Sequence, residues 1–185
     1  MKRHEGCFAL IAVLFFASLA LQAQSGTPAS VVPQAVPDNP LRPAPPEQPI
    51  PYSHKKHLAM GLHCELCHKS PEPRTQMTLP AVATCMQCHA DVATDKPAIQ
   101  KLTEFAKAQK PVPWVRVYNL LPGVSWSHGT HLKAGMKCEM CHGDVAQLDA
   151  MAEVTSVTSM YSCLECHEKN HAKASCNTCH KGPAD

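Results

Sequence analysis

Five times this chain sets two cysteines two residues apart and places a histidine directly after the second: Cys64/Cys67/His68, Cys85/Cys88/His89, Cys138/Cys141/His142, Cys163/Cys166/His167 and Cys176/Cys179/His180. Two thiols at that spacing reach both vinyl groups of one haem and form thioethers with them, while the next residue carries an imidazole to the iron. These residues predict five covalently attached haem c groups, each iron held on one side by His68, His89, His142, His167 or His180. Of the cysteines, Cys7 alone stands outside the motifs. A structural zinc takes four ligands closed into a tetrahedron, so Cys-x-x-Cys pairs would come in twos and the recurrent histidine would have no role. A dithiol redox motif would occur once, beside a βαβ pattern that this sequence lacks.

Each iron has a sixth position to fill. Outside the motifs and the N-terminal segment the histidines are His54, His57, His63, His128, His131 and His171. His54 and His57 stand ten and seven residues before a motif, and so do His128 and His131. Three residues apart on one helical turn, the members of each pair point to the same side and reach two neighbouring haems. His171, five residues before Cys176, is the candidate for the fifth iron. His63 abuts Cys64 and corresponds to Lys137 in the repeat described below, so it reads as a surface residue. Met160, three residues before Cys163, is a rival ligand whose thioether would raise that haem's potential. With all irons six-coordinate, the haems pass electrons and bind no substrate, and no residue is assigned a catalytic role. A multihaem enzyme needs an open iron, and no altered motif such as Cys-x-x-Cys-Lys occurs.

The elements that position these groups begin with an export signal. Lys2 and Arg3 precede an apolar run from Cys7 to Leu21, with Ala23 at the cleavage position, so residues 1–23 read as a signal peptide or an uncleaved anchor. The fifteen-residue run is shorter than the about 20 residues of a spanning helix. Export to the periplasm, or to the periplasmic face of the cytoplasmic membrane, agrees with attachment of haem c outside that membrane. Residues 24–51 hold nine prolines and few large apolar side chains, which predicts a disordered, partly polyproline tether.

An internal repeat follows. Residues 53–68 and 127–142 match at nine of sixteen positions with an offset of 74. The chain therefore divides into a first haem unit (52–94, two haems), a connecting helix and extended segment (95–124), and a second unit (125–185, three haems). In the connection, Asp95 and Pro97 open a helix with Ile99, Leu102, Phe105 and Ala106 on one face. It ends before Pro111, and the β-branched run from Val112 to Leu121 reads as extended. Four Phe, three Tyr and two Trp are too little aromatic mass for a conventional core. The expected fold is mostly irregular with short α-helices, cored by haem, and largely disordered without it.

The His-x-x-His pairs ahead of Cys-x-x-Cys-His resemble the small multihaem class III cytochromes of bacteria. That resemblance implies that the first histidine of a pair serves the adjacent haem and the second serves the next. His54 then pairs with His68, His57 with His89, His128 with His142, His131 with His167, and His171 with His180. Thr84-Cys85-Met86-Gln87-Cys88-His89, Pro113-Trp114-Val115-Arg116-Val117-Tyr118, Ser127-His128-Gly129-Thr130-His131, Ala134-Gly135-Met136-Lys137-Cys138 and Ser159-Met160-Tyr161-Ser162-Cys163 further resemble the pentahaem cytochrome subunit of alternative complex III. This resemblance implies a subunit of a quinol-oxidising respiratory membrane complex, and membrane association through the N-terminal segment or the complex.

Charge narrows the partners. Without residues 1–23 there are 15 basic against 14 acidic side chains. Ten haem propionates and five irons bring the loaded protein to about −4 oxidised and about −9 reduced by simple counting. No nucleic-acid partner is expected on that balance, which suits a redox partner with a basic docking surface. The rival to a complex subunit is a free periplasmic shuttle or electron store, distinguished by whether Pro111 to Val124 offers an apolar partner surface.

Overall fold

The repeated identities of the sequence are helix punctuation. In α1 (His54–Ala59) the Ser53 hydroxyl accepts from the Lys56 N–H at 3.1 Å, and in α5 (His128–Lys133) the Ser127 hydroxyl accepts from the Thr130 N–H at 3.3 Å. Past the ends of these helices, Gly61 and Gly135 take φ of 82° and 88°, a conformation that favours residues without a Cβ. Each repeat thus spends its conserved-in-pair Ser and Gly on fixing one short helix that carries two histidines.

The computed structural model describes residues 33–69 and 76–180, so the expected signal segment and the first part of the Pro-rich stretch lie outside the described residues. Three motifs sit on single helical turns, α2 (Cys64–Cys67), α6 (Cys138–His142) and α8 (Cys176–Cys179). The other two lie on longer helices, α3 (Val82–His89) and α7 (Met160–Lys169). The remaining elements are α4 (Pro97–Lys107) and a 3-10 turn at Val145–Gln147. Among the described residues there is no strand, only isolated antiparallel bridges at Asp38–Thr155 and Val124–His180. The expected architecture of short helices joined by irregular chain is borne out.

α4 forms as its periodicity dictates, with Pro97 in the first turn and Leu102 buried. Asp95 does not cap it. Lys96 occupies the cap position, and the Asp95 carboxylate instead pairs with the Lys96 ammonium at 2.9 Å on the surface. Leu102 joins Ile50 and Val112 in a small core, against which Val82, Met86, Ile99, Phe105 and Trp114 pack. Val36 is the other buried large apolar residue among those described, so apolar burial is as thin as the composition requires. The run after Val112 joins no sheet among the described residues, and its start turns back on itself, the Trp114 N–H donating to the Val112 carbonyl at 2.8 Å.

Residues 33–51 depart from the expected free tether. The Ala35 and Val36 N–H groups both reach the Met140 carbonyl, at 2.9 and 3.1 Å. The Asn39 N–H donates to the Val154 carbonyl at 2.9 Å, and the Ser156 N–H to the Pro37 carbonyl at the same distance. Val36 and Ile50 are buried. Gly143, directly after the third motif, leaves room for this strap, since a Cβ there would lie 3.0 Å from the Gln34 side-chain oxygen. Proline kept the segment out of helix, and the irregular loops of the second unit supplied partners for its backbone.

Candidate haem sites

Each histidine-bearing helix aims two rings at two different motifs. The His54 ring faces His68 with centroids 6.4 Å apart, and His57 faces His89 at 6.2 Å. In the second unit His128 faces His142 at 6.3 Å, and His131 faces His167 at 6.2 Å. Two metal–imidazole bonds of about 2 Å, with roughly 1 Å from each ring centre to its nitrogen, place trans imidazoles about 6 Å apart. The four facing pairs fit that requirement, so the residues present suit a haem iron held from both sides.

The outer ring nitrogens are largely fixed by backbone carbonyls. Nδ1 of His57 lies 2.8 Å from the Ser53 carbonyl, and Nδ1 of His131 lies 2.8 Å from the Ser127 carbonyl. Nδ1 of His68, His89 and His167 meets the carbonyls of Thr78, Val92 and Lys173 at 2.9, 3.0 and 2.5 Å. A ring that donates from Nδ1 presents the lone pair of Nε2, which is the tautomer a metal ligand needs. His128 differs, with its Nδ1 3.3 Å from the Met77 N–H, a donor where a ligating ring would itself donate. Nδ1 of His54 and of His142 is buried without a partner among the described residues. Burial, and the neighbouring histidines after it, pull His54 and His128 down to about 4, and burial lowers His142 as well. All three rings are therefore neutral at physiological pH.

Two residues absent from the sequence-based set complete the histidine helices. Tyr52 stands edge-on to His54, with centroids 4.9 Å apart, and stacks on His57 at 4.3 Å. Trp126 does the same for His128 at 4.0 Å and His131 at 5.2 Å. They are related by the same offset of 74, so extending the repeat one residue upstream would have found them. Tyr118 contributes at the third motif. Its ring lies edge-on to His142 at 4.9 Å, and its hydroxyl accepts from the Val154 N–H at 3.0 Å. Thr155, fully buried beside it, donates to the Cys141 carbonyl at 2.7 Å.

Burial pushes the thiols of Cys67, Cys85, Cys141 and Cys163 upward. Cys88 and Cys176 are exposed, and Cys166 and Cys179 half-buried. Cys64 and Cys138 lie side by side, and their proximity holds the Cys64 thiol down while it pushes the Cys138 thiol up. The fifth motif is the outlier. His171 and His180 are both exposed, and no ring contact joins them among the described residues. His171 sits just past α7 with φ of 50°. His63 is exposed, and Met160, at the start of α7, is 65% exposed.

Two family models match the chain: the class III cytochrome c family over residues 29–113, and cytochrome c7 and related cytochromes c over residues 124–181. The multihaem cytochrome c subunit of menaquinone reductase from Nitratidesulfovibrio vulgaris (strain Hildenborough) is 32% identical over 163 residues, covering 73% of this chain and 77% of that relative. This chain belongs to the multihaem class III cytochrome c family. Membership of that family means covalently bound haem c, and haem supplies one-electron redox chemistry at its iron. The two matches divide the cytochrome between its two repeats. The first begins at residue 29, inside the Pro-rich stretch, in keeping with the packed strap at 33–51. No helix among the cytochrome's described residues is long and apolar enough to cross a membrane.

Proposed function

We propose that this cytochrome is an exported pentahaem electron carrier, held in a quinone-linked respiratory membrane complex as a subunit that does no chemistry on substrate itself. The observation that carries the reading is the set of four histidine pairs at 6.2–6.4 Å, each with one member from an attachment motif and one from outside it. Irons ligated by His54 and His68, His57 and His89, His128 and His142, and His131 and His167 offer no position to a substrate. What the polypeptide contributes is placement: carbonyls fix the ring nitrogens of His57, His68, His89, His131 and His167, Tyr52 and Trp126 pack on the rings of the histidine helices, and ten cysteines anchor the groups. His171 is the histidine of this chain assigned to the His180 iron.

The place in a complex rests on the relative, which is named as a subunit of menaquinone reductase. The sequence resemblance favoured a quinol-oxidising assembly, and the relative's name describes the opposite direction. The two share a haem subunit exchanging electrons with a quinone-reacting partner, and that shared role is the one assigned here. A docking surface is available on the connecting segment, where Val115 and Leu121 are exposed, the latter at 78%.

Native mass spectrometry of the protein gently solubilised from its own cells tests the reading. The expected result is a chain with five haems inside a large membrane assembly. A lone processed chain with five haems would establish the soluble shuttle instead, and fewer than five would show that a motif is not loaded. Carbon monoxide binding by the reduced protein at the four paired sites would favour an enzyme.

A further inference from the structure

The two repeats do not meet end to end. Within the first, α1 carries His54 toward the first motif and His57 toward the second, with the one Tyr52 ring against both, so these sites are neighbours. Within the second, α5 and Trp126 join the third and fourth sites in the same way. Between the repeats the link is the dipeptide Met77-Thr78. The Thr78 carbonyl accepts from His68 Nδ1 at 2.9 Å, and the Met77 N–H lies 3.3 Å from His128 Nδ1. Two residues span about 7 Å of chain, which brings a ligand of the first site beside a ligand of the third. Arg116 holds that dipeptide in place, with two guanidinium nitrogens each 3.2 Å from the Met77 carbonyl.

Other contacts close the same junction. The Lys55 N–H, on α1, donates to the Leu148 carbonyl at 3.0 Å, and the Ser53 hydroxyl to the Asp149 carboxylate at 2.8 Å. These tie the first repeat to the loop that follows the third motif. The Cys64 and Cys138 side chains lie beside each other, and they are the same position in the two repeats. Contact of a residue with its own counterpart is the mark of a local two-fold, the isologous arrangement of symmetric pairs. The fifth motif is fastened next to the fourth: His167 Nδ1 meets the Lys173 carbonyl three residues before Cys176, and the Ser125 N–H, just ahead of Trp126, donates to the Cys179 carbonyl at 2.6 Å.

We propose that the haem sites stand in a single file in the order second, first, third, fourth, fifth, with the His68 and His142 sites meeting across the local two-fold and the ends of the file at His89 and His180. The proposal rests on the pentahaem reading. It makes the first site internal, although it comes first in the sequence, so that loss of that site separates the second from all the others. The two ends differ. Cys85 of the second site packs against the apolar cluster of Ile50, Leu102 and Val112, whereas no residue of the fifth motif joins that cluster and its His180 is exposed.

Two-dimensional NMR of the fully reduced, fully loaded protein reads the order directly, because through-space cross-peaks between haem substituents arise only between neighbours. Tyr52 ring protons mark the first and second sites, and Trp126 ring protons the third and fourth. His57→Met and His131→Met separate the members of each pair, since a methionine methyl held over a haem is shifted far upfield at its own site. A variant that loses its haem instead identifies the site by the resonances that vanish. Cross-peaks between the first and third sites, with none between second and third, are expected. Cross-peaks between second and third without any between first and third would overturn the order. Fewer than five haems by intact mass would overturn the pentahaem reading itself, an outcome distinct from misplaced contacts.

Discussion

A histidine on a six-residue helix is held by little unless something fixes its ring, and here the work falls to residues outside the proposed ligand set. Ser53 acts twice, its hydroxyl capping α1 and its carbonyl meeting His57 Nδ1, and Ser127 repeats both roles for α5 and His131. Tyr52 and Trp126 set the angle at which the rings stand. Aromatic contacts of this kind contribute about 0.5–1.5 kcal/mol beyond their buried area. Replacing Tyr52 by Leu, which keeps apolar volume and removes the ring, is expected to lower the unfolding free energy of the loaded protein by about 1 kcal/mol. It is also expected to broaden the electron paramagnetic resonance signals of the first and second sites while leaving the third and fourth unchanged. Trp126→Leu should give the mirror result, and a change spread over all four sites would show that the rings act on general stability only. The attachment motifs and the histidine pairs were legible because their chemistry demands specific residue types at fixed spacing. Tyr52 and Trp126 were not read, because an aromatic residue beside a polar helix start has no fixed chemical role until its neighbours' rings are placed.

The elements divide into those the local pattern determines and those that wait for tertiary contacts. α4 belongs to the first kind, its apolar face visible at helical spacing and its start marked by Pro97. The strap at 33–51 belongs to the second. Nothing in a proline-rich run announces that Val36 will be buried or that the Met140 and Val154 carbonyls will be waiting for its N–H groups. The small core between α3 and α4 contains no residue of the histidine helices α1 and α5, and this separates two kinds of stability. Leu102 is 4% exposed, and cutting it to alanine removes apolar contacts that the core of Ile50 and Val112 cannot replace. Leu102→Ala is expected to destabilise the loaded protein by about 2–5 kcal/mol in a denaturant titration. Haem content by intact mass should stay unchanged, since covalent thioethers survive loss of packing. A variant purified with fewer haems would show instead that the α3–α4 core is needed while the second motif is being loaded.

At the scale of the molecule, the repeat and its offset were readable, but the way the units meet was not, because a junction between counterpart residues leaves no trace in the order of the motifs. The same two-fold has a spectroscopic consequence. The histidine planes at the two sites that meet across it are nearly parallel, 12° for His54 and His68 and 15° for His128 and His142. At the flanking sites the planes cross, at 66° for His57 and His89 and 41° for His131 and His167. Parallel imidazoles act on the same iron d orbital and split the near-degenerate pair widely, whereas crossed imidazoles act on both and leave the pair close in energy. The oxidised protein is therefore expected to show two families of low-spin ferric signal, a rhombic one from the inner sites and a strongly anisotropic one from the His57 and His89 site. His57→Met should abolish the anisotropic signal and spare the rhombic one, whereas His54→Met should spare the anisotropic signal and remove only the first site's share of the rhombic one, the His128 and His142 site keeping the rest. If every site gave the same rhombic signal, the crossed planes would not persist in the loaded protein. α1 would then have to turn its second histidine relative to the first, breaking the Ser53 carbonyl contact or the Tyr52 stack that now fixes it.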